Sequence, residues 1–306
     1  MTLGKLYHPK SEPMRLAIYM SGSGTNAKKI LERFLADTHT TEGNSFDPIL
    51  ICSDNPDSNA DRIGNQDYAG HGLKIPTVTN PIRDFYRKAG CDNMKDQEVR
   101  AAYDAKQVEL LKDMRIDAIA LAGYDWALSK ECLEATSDIV WMNVHPGDLR
   151  KKKESGEPAY RGLGWVPSAK AILAGENYVH SSVHLVTAKV DEGDLLAVSD
   201  GVPVQDEIRS LDVRAEMLWQ GSGFKPIKHI LDYIRTHPDM EDEALAWRFP
   251  LFGSARELQE ILKVKGDWVI YPETICNVAK GKYEVTPQGA LYFDGNPIPR
   301  GVQFNW

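Results

Sequence analysis

The sequence predicts an α/β fold: an open, mostly parallel sheet with helices on both faces. Three observations lead there. Short apolar runs alternate with segments of helical length over the first half of the chain. The runs are continuously apolar rather than alternating, as expected for strands buried on both faces. The most unusual residues fall just after these runs, where open sheets of this kind bind ligands, beyond the carboxyl ends of their strands.

The elements follow in order. Arg15–Met20 (RLAIYM) reads as the first strand and ends in a glycine-rich loop, Ser21–Asn26, before a helix over Ala27–Ala36. Pro48–Ser53 (PILICS) is a second buried strand, Asn55–Gly70 has helical length, and Ile75–Val78 is a short strand. Over Asp96–Met114, Val99, Ala102, Val108, Leu111 and Met114 recur at helical spacing. Ala118–Ala122 and Ile139–Val144 are further strands, with a helix at Ser129–Ala135 between them. The pattern then changes. Arg150–Gly164 is polar and aperiodic, Pro167–Ala174 reads as helix, and Ser181–Thr187 and Leu195–Val204 read as strands. Leu211–Thr236 has helical length, although Gly221, Gly223 and Pro226 weaken its middle. Pro238–Glu243 reads as a linker, which places a main domain at 1–238 and a small α+β extension at 239–306. The tail is expected to hold one helix, Ala255–Lys263, and then short strands joined by NG-, QG- and DG-type turns.

Bulk properties narrow the function. The 306 residues are 42% hydrophobic and 26% charged, an ordinary globular composition. No apolar run approaches the roughly 20 residues that span a bilayer, and the N-terminus shows no apolar signal segment. A cytoplasmic location without membrane association is the expectation. A formal net charge of −8 disfavours a nucleic-acid partner. Cys52, Cys91, Cys132 and Cys276 form no CxxC pair and lie at no zinc spacing from a histidine, so they read as reduced thiols and no metal is expected.

Two loops carry chemistry. Ser21-Gly22-Ser23-Gly24-Thr25-Asn26 joins a strand to a helix. Its glycines allow close backbone approach, and a helix N-terminus offers N–H groups and positive potential to an anion such as phosphate. Gly22, Gly24 and Ala27 also satisfy G-x-G-x-x-A, with Asp54 after the second strand, so a dinucleotide site and a plain tight turn are competing readings. Further on, Asn143-Val144-His145-Pro146 closes an apolar strand. Strand alternation puts Asn143 and His145 on one side, and Pro146 ends the pairing. Val190-Asp191-Glu192-Gly193 is a turn able to present a carboxylate.

Three separated blocks, RLAIYMSGSGTN, DAIALAGYDWALS with VWMNVHPGDL, and SSVHLVTAKVDEGDLL, together resemble the folate-dependent formyltransferases, among them those acting on glycinamide ribonucleotide. The resemblance covers roughly residues 14–204 and extends more weakly to about 235. It implies a Rossmann-like formyltransferase fold, 10-formyltetrahydrofolate as co-substrate and a small amine acceptor, with a role in purine biosynthesis. It further implies that Asn143, His145 and Asp191 are catalytic. Tyr124, Asp125, Trp126, Ala127, Leu128, Val144, Thr187, Val190 and Glu192 would line the folate site. Ser21, Gly22, Ser23, Gly24, Thr25, Asn26 and Arg100 would bind the acceptor. The chemistry wants these types: an amide and an imidazole can donate to a developing oxyanion, and the imidazole can move protons.

The sequence departs from the family pattern at three places. Trp126 stands where an arginine is usual, Arg150–Arg161 forms an enlarged basic loop, and Trp219–Gly223 lacks the late-helix glutamate associated with the glycinamide end. An amino sugar nucleotide or a hydroxylamine-type amino acid is therefore an alternative acceptor. A NAD(P)-dependent oxidoreductase and a non-catalytic folate- or nucleotide-binding protein are readings of other classes. The tail is expected to pack structurally, with a homodimer contact or acceptor specificity as its other readings.

Overall fold

The computed structural model describes residues 3–38, 40–41, 43–66, 74–204 and 225–304. In chain order the strands are β1 (Gly4–Lys5), β2 (Met14–Met20), β3 (Phe46–Ser53), β4 (Thr77–Thr79), β5 (Ala118–Leu121), β6 (Val140–His145), β7 (Tyr178–Val179), β8 (Ser182–Leu185), β9 (Leu195–Val198), β10 (Val202–Pro203), β11 (Tyr283–Val285), β12 (Leu291–Phe293) and β13 (Asn296–Pro297). The helices are α1 (Thr25–Asp37), α2 (Ala60–Gly64), α3 (Ile82–Lys88), α4 (Gln97–Asp113), α5 (Lys130–Ala135), α6 (Val166–Leu173), α7 (Pro226–Thr236), α8 (Asp242–Arg248), α9 (Pro250–Leu262) and α10 (Trp268–Ala279), with a π-helical turn, Lys263–Asp267, between the last two.

The chain divides into two compact units. The first comprises Met1–Val144, Val183–Ala197 and Ile270–Val302. Its sheet runs β4-β3-β2-β5-β6-β8-β9. The pairings β2–β3, β2–β5, β3–β4 and β5–β6 are parallel, as the continuous apolar runs predict. Every residue of β5 is buried, and β2 is buried except for Arg15. One apolar cluster joins Ala17, Tyr19, Leu50, Ile119 and Trp141 of the sheet to Val108 and Leu111 of α4. Asp96 starts α4 by accepting the N–H groups of Glu98 and Val99 at 3.1 and 3.0 Å, which satisfies two otherwise orphaned donors. Ser129 caps α5 in the same way.

The second unit comprises His145–Ser182, Val198–Val269 and Gln303–Trp306. Its core packs Trp165, Ala169 and Ile172 of the α6 region against Leu251, Phe252, Ala255 and Leu258 of α9.

Several expectations about the tail are corrected. A boundary at 238/239 does not describe these units, because residues from 270 onward return to the first one. There β11 pairs antiparallel with β1, and the Tyr271 hydroxyl of α10 lies 3.2 and 2.9 Å from the Leu121 and Met142 carbonyls. The segment read as strand after Lys263 is instead α10, a helix whose residues are buried nearly all round. Aromatic and β-branched residues suggest strand, but a short apolar run cannot distinguish a strand from a fully buried helix. The expected strand Leu195–Val204 is two, β9 and β10, and Tyr178–Val179 adds an unexpected partner for β10. Helix α2 occupies only Ala60–Gly64 of the stretch expected to be helical, whose end lies outside the described residues. The Leu211–Thr236 stretch is described only from 225, so Trp219–Gly223 also lies outside.

Candidate functional site

In the first unit, two chain segments meet beyond the carboxyl ends of β2 and β5, and Asn143 lies near the end of β6. The glycine loop leaves β2 and turns into α1 through Gly24, whose φ is 66°. A Cβ there would come within 2.3 Å of Ile63 Cδ1 and 2.7 Å of Met20 Cε, so both the backbone conformation and the space require glycine. Helix α1 has no side-chain cap and no acidic residue in its first turn. Its leading N–H groups therefore keep their positive potential. The loop carbonyls are engaged elsewhere: Asn55 Nδ2 donates to Ser21 O (2.9 Å), Asn59 N to Gly22 O (3.1 Å) and Asn59 Nδ2 to Ser23 O (3.3 Å). Gly22 and Ser23 are exposed, while Thr25 and Asn26 are half-buried. The Asn26 Oδ1 is buried without a hydrogen-bond partner.

Ser21 differs from the rest of its loop. It is buried, its hydroxyl donates to Asp54 Oδ1 (2.5 Å), and it accepts the Asp125 N–H (3.0 Å). Its side chain is thus committed inside the protein, which leaves its loop neighbours Gly22 and Ser23 as the exposed part of the loop. Asp54 is buried too, and its Oδ2 accepts the Trp126 indole N–H at 2.6 Å. Both carboxylate oxygens are engaged internally, which argues against Asp54 holding a ribose in a dinucleotide site.

The segment after β5 lies beside this loop, and the Gly123 carbonyl accepts the Ser21 N–H at 2.8 Å. Tyr124 and Trp126 are half-buried, Ala127 is exposed and Leu128 is buried. Partial desolvation, reinforced by the nearby Asp54 carboxylate, holds the Asp125 carboxyl above the usual range. Arg100 is buried under the Trp126 ring at 5.2 Å and the Tyr103 ring at 5.8 Å. Its Nη1 stands 3.8 Å from Asp104 Oδ1, and neither atom has a hydrogen-bond partner. Burial, partly offset by the Ser129 N–H and hydroxyl and by Arg100, raises the Asp104 carboxyl.

Asn143 projects from β6. Its Nδ2 lies 3.2 Å from His184 Nε2, and His184 Nδ1 lies 2.8 Å from the Leu185 carbonyl. A carbonyl only accepts, so Nδ1 carries the proton. The contact between Nε2 and the Asn143 amide fixes the orientation of that amide. Asp191 Oδ1 stands 3.8 Å from the same Nε2. Asp191 is buried and has φ 59°, a left-handed conformation that aspartate tolerates better than most residues. Gly193 follows it, pressed so closely on Leu185 that a Cβ would fall 1.7 Å from the Leu185 carbonyl oxygen. Val144 is buried, Glu192 half-buried, and Thr187 and Val190 exposed. His184 is the residue sequence reasoning passed over as a strand end. A titratable residue inside a buried strand was the available signal.

The second unit holds His145. The ring is buried, and its Nε2 donates to the Tyr160 carbonyl at 2.7 Å. Gly147 makes this fit possible, because a Cβ there would lie 2.9 Å from both His145 Nε2 and Tyr160 O. The turn is tied down by Ser182 Oγ, which donates to Gly147 O (2.8 Å) and accepts the Leu149 N–H (3.1 Å). Arg150 folds back as a fork onto Asp148 at 2.8 and 2.9 Å. Burial raises the Asp148 carboxyl, but the Arg150 bonds and charge outweigh it and hold it below the usual range. The basic loop is pinned by its own acids, with Lys151 on Glu176 and both Lys153 and Arg161 on Glu157. Among the described residues no group of three His, Cys, Asp or Glu could hold a metal, and no helix is long and apolar enough to cross a membrane.

Fold and loops together define a doubly wound α/β protein with an anion-suited loop after its first long strand and a polar amide and imidazole two residues apart on another. The chain belongs to the formyl transferase family, whose model matches residues 14–217. It is 29% identical over 210 residues to methionyl-tRNA formyltransferase of Roseiflexus castenholzii, a match covering 68% of this chain and 56% of that protein. It is 26% identical over 202 residues to phosphoribosylglycinamide formyltransferase of Haemophilus influenzae, covering 65% and 79%. Among solved structures, the phosphoribosylglycinamide formyltransferase of Coxiella burnetii matches with a TM-score of 0.60 at 20% identity, over 96% of this chain and all (100%) of that one, which shows a shared fold. The chain spans only part of the length of the curated relatives it matches, between 12% and 57% for three of them.

Proposed function

We propose that this protein transfers the formyl group of 10-formyltetrahydrofolate to the amine of glycinamide ribonucleotide. The observation that carries the reading is the oriented Asn143 amide, held by His184, two residues before His145 on β6. In the reaction the acceptor nitrogen bonds to the formyl carbon, the N10–carbon bond breaks, and one proton passes from the attacking amine to N10. Asn143 donates to the oxygen as it gains charge in the tetrahedral intermediate. The Tyr160 carbonyl holds His145 Nε2 and orients the ring, and the imidazole moves the proton in transit. Asp191, 3.8 Å from His184 Nε2, sits beside the imidazole that orients the Asn143 amide. The uncapped start of α1 and the exposed Gly22 and Ser23 backbone receive the acceptor phosphate. The segment Tyr124–Leu128 receives the folate.

Several facts support glycinamide ribonucleotide over an aminoacyl-tRNA. The formal net charge is −8, and Lys151, Lys153 and Arg161 of the basic loop are paired with Glu176 and Glu157. The Haemophilus influenzae relative carries the corresponding name. An acceptor screen at fixed 10-formyltetrahydrofolate tests the reading. Glycinamide ribonucleotide is expected to turn over, with His145→Ala and Asp191→Asn both reduced by roughly a hundredfold or more. Faster turnover of an amino sugar nucleotide, a hydroxylamine-type amino acid or methionyl-tRNA reassigns the acceptor. Full activity in both variants sinks the mechanism.

A further inference from the structure

The loop after β2 and the segment after β5 belong to neighbouring parallel strands and meet at one buried carboxylate. Asp54 takes the Ser21 hydroxyl on Oδ1 and the Trp126 indole N–H on Oδ2. Ser21 in turn accepts the Asp125 N–H on its oxygen and gives its own N–H to the Gly123 carbonyl. The Trp126 ring then covers the Arg100 guanidinium. A buried carboxylate is stabilised by such donors, and each donor is costly to lose once buried. The two loops are therefore joined by two direct contacts, Ser21 N–H to the Gly123 carbonyl and Asp125 N–H to the Ser21 hydroxyl, and by one shared anion. Neither can shift without breaking one of these part-buried bonds. Packing alone does not require this, because a Phe at 126 could cover Arg100 equally well. The indole N–H is the part that only Asp54 explains.

We propose that Asp54, with Trp126 as its second arm, is a positioning residue that couples the acceptor loop to the folate segment, so that each substrate binds more tightly when the other is present. This rests on the function proposed above for the two loops. Neither residue touches a reacting atom; both act through the Ser21–Gly22 and Asp125–Ala127 backbone. Coupling of this kind between sites is commonly worth roughly 5- to 150-fold in affinity.

The test uses Trp126→Phe, which keeps the ring over Arg100 and removes only the N–H, together with Asp54→Asn and the double variant. Each single change is expected to raise KM for both donor and acceptor about fivefold or more, with kcat at saturation changed less than about threefold. The double variant should be no worse than the worse single one, because the two act through one bond. A rise confined to one substrate, or effects that multiply in the double variant, overturns the proposal. A second readout needs no turnover. The Trp126 indole N–H resonance, identified by its loss in Trp126→Phe, should move when inorganic phosphate is added as a probe of the loop. It should move again with 5-formyltetrahydrofolate as a probe of the segment. If it responds to neither in the wild-type protein, the coupling is refuted. If it responds while no acceptor turns over, the coupling stands and the proposed reaction fails.

Discussion

Replacing Gly193 by alanine places a methyl group 1.7 Å from the Leu185 carbonyl oxygen and 2.7 Å from its carbon. The partner is backbone in β8, so it cannot swing aside as a side-chain tip could. An ordinary contact of about 3.2 Å requires the turn to retreat by roughly 1.5 Å, and Asp191, two residues earlier, moves with it. Asp191 is already in a left-handed conformation and stands 3.8 Å from His184. Misplacement of a catalytic group by about 1 Å costs on the order of a hundredfold in rate. The expected result for Gly193→Ala is therefore a loss of about two orders of magnitude in kcat, with a stability loss of ~1–3 kcal/mol typical of overpacking. Steady-state formyl transfer and a urea melt read the two quantities. Gly22→Ala is the comparison, since its Cβ meets nothing within 4 Å and the fold should tolerate it. If Gly193→Ala kept kcat within about threefold of wild type while its stability fell as expected, the reasoning that ties rate to the place of Asp191 would be refuted.

Asn143→Ala should lower kcat by about 10²–10³-fold, and His184→Phe by a smaller factor in the same direction, because the amide survives there without its orienting partner; kinetics of both variants on the leading acceptor decide it. Arg150→Gln leaves the buried Asp148 carboxylate without its fork and should cost about 2–3 kcal/mol, less than the roughly 3–5 of a fully buried pair because Arg150 is partly exposed. Since Asp148 is held below the usual carboxylate range, its contribution is present above that range and lost as pH falls through its lowered pKa. The variant should therefore show a smaller further loss on acidification than wild type in chemical melts. Asp104 has the opposite sign: burial raises it, so its contribution is present at acid pH and lost as pH rises through its elevated pKa. As pH rises above the usual carboxylate range, Asp104→Asn should flatten the decline that wild type shows; an unchanged slope would contradict the assignment.

Much of the first unit was legible because its strands are buried on both faces. RLAIYM, PILICS, AIALA and IVWMNV stand out as continuous apolar runs, and they occupy β2, β3, β5 and β6. Gly24 and the Asn143–His145 pair were legible for a related reason: a left-handed turn and a polar end to an apolar strand are local features. What was not legible depends on distant partners. Nothing near Trp268 announces that α10 will bury Tyr271 against the Leu121 and Met142 carbonyls, or near Gly4 that it will pair with Val285. The sequence does not show which way the hydroxyl of Ser21 faces. Only the approach of Asp54, 33 residues away, turns it inward. His184 was overlooked because its role lies in its contact with Asn143, 41 residues earlier in the chain. Trp126 was noted as a departure from the family pattern, but its indole partner could not be inferred without the fold.

Transfer of the formyl group from the folate carrier to an amine at Asn143 and His145 can be followed with a 13C-formyl label on 10-formyltetrahydrofolate in the presence of glycinamide ribonucleotide. The label should appear as a formamide on the acceptor, in step with tetrahydrofolate release, and this should be lost in His145→Ala. Label accumulating as free formate at the same rate with or without the acceptor would contradict it.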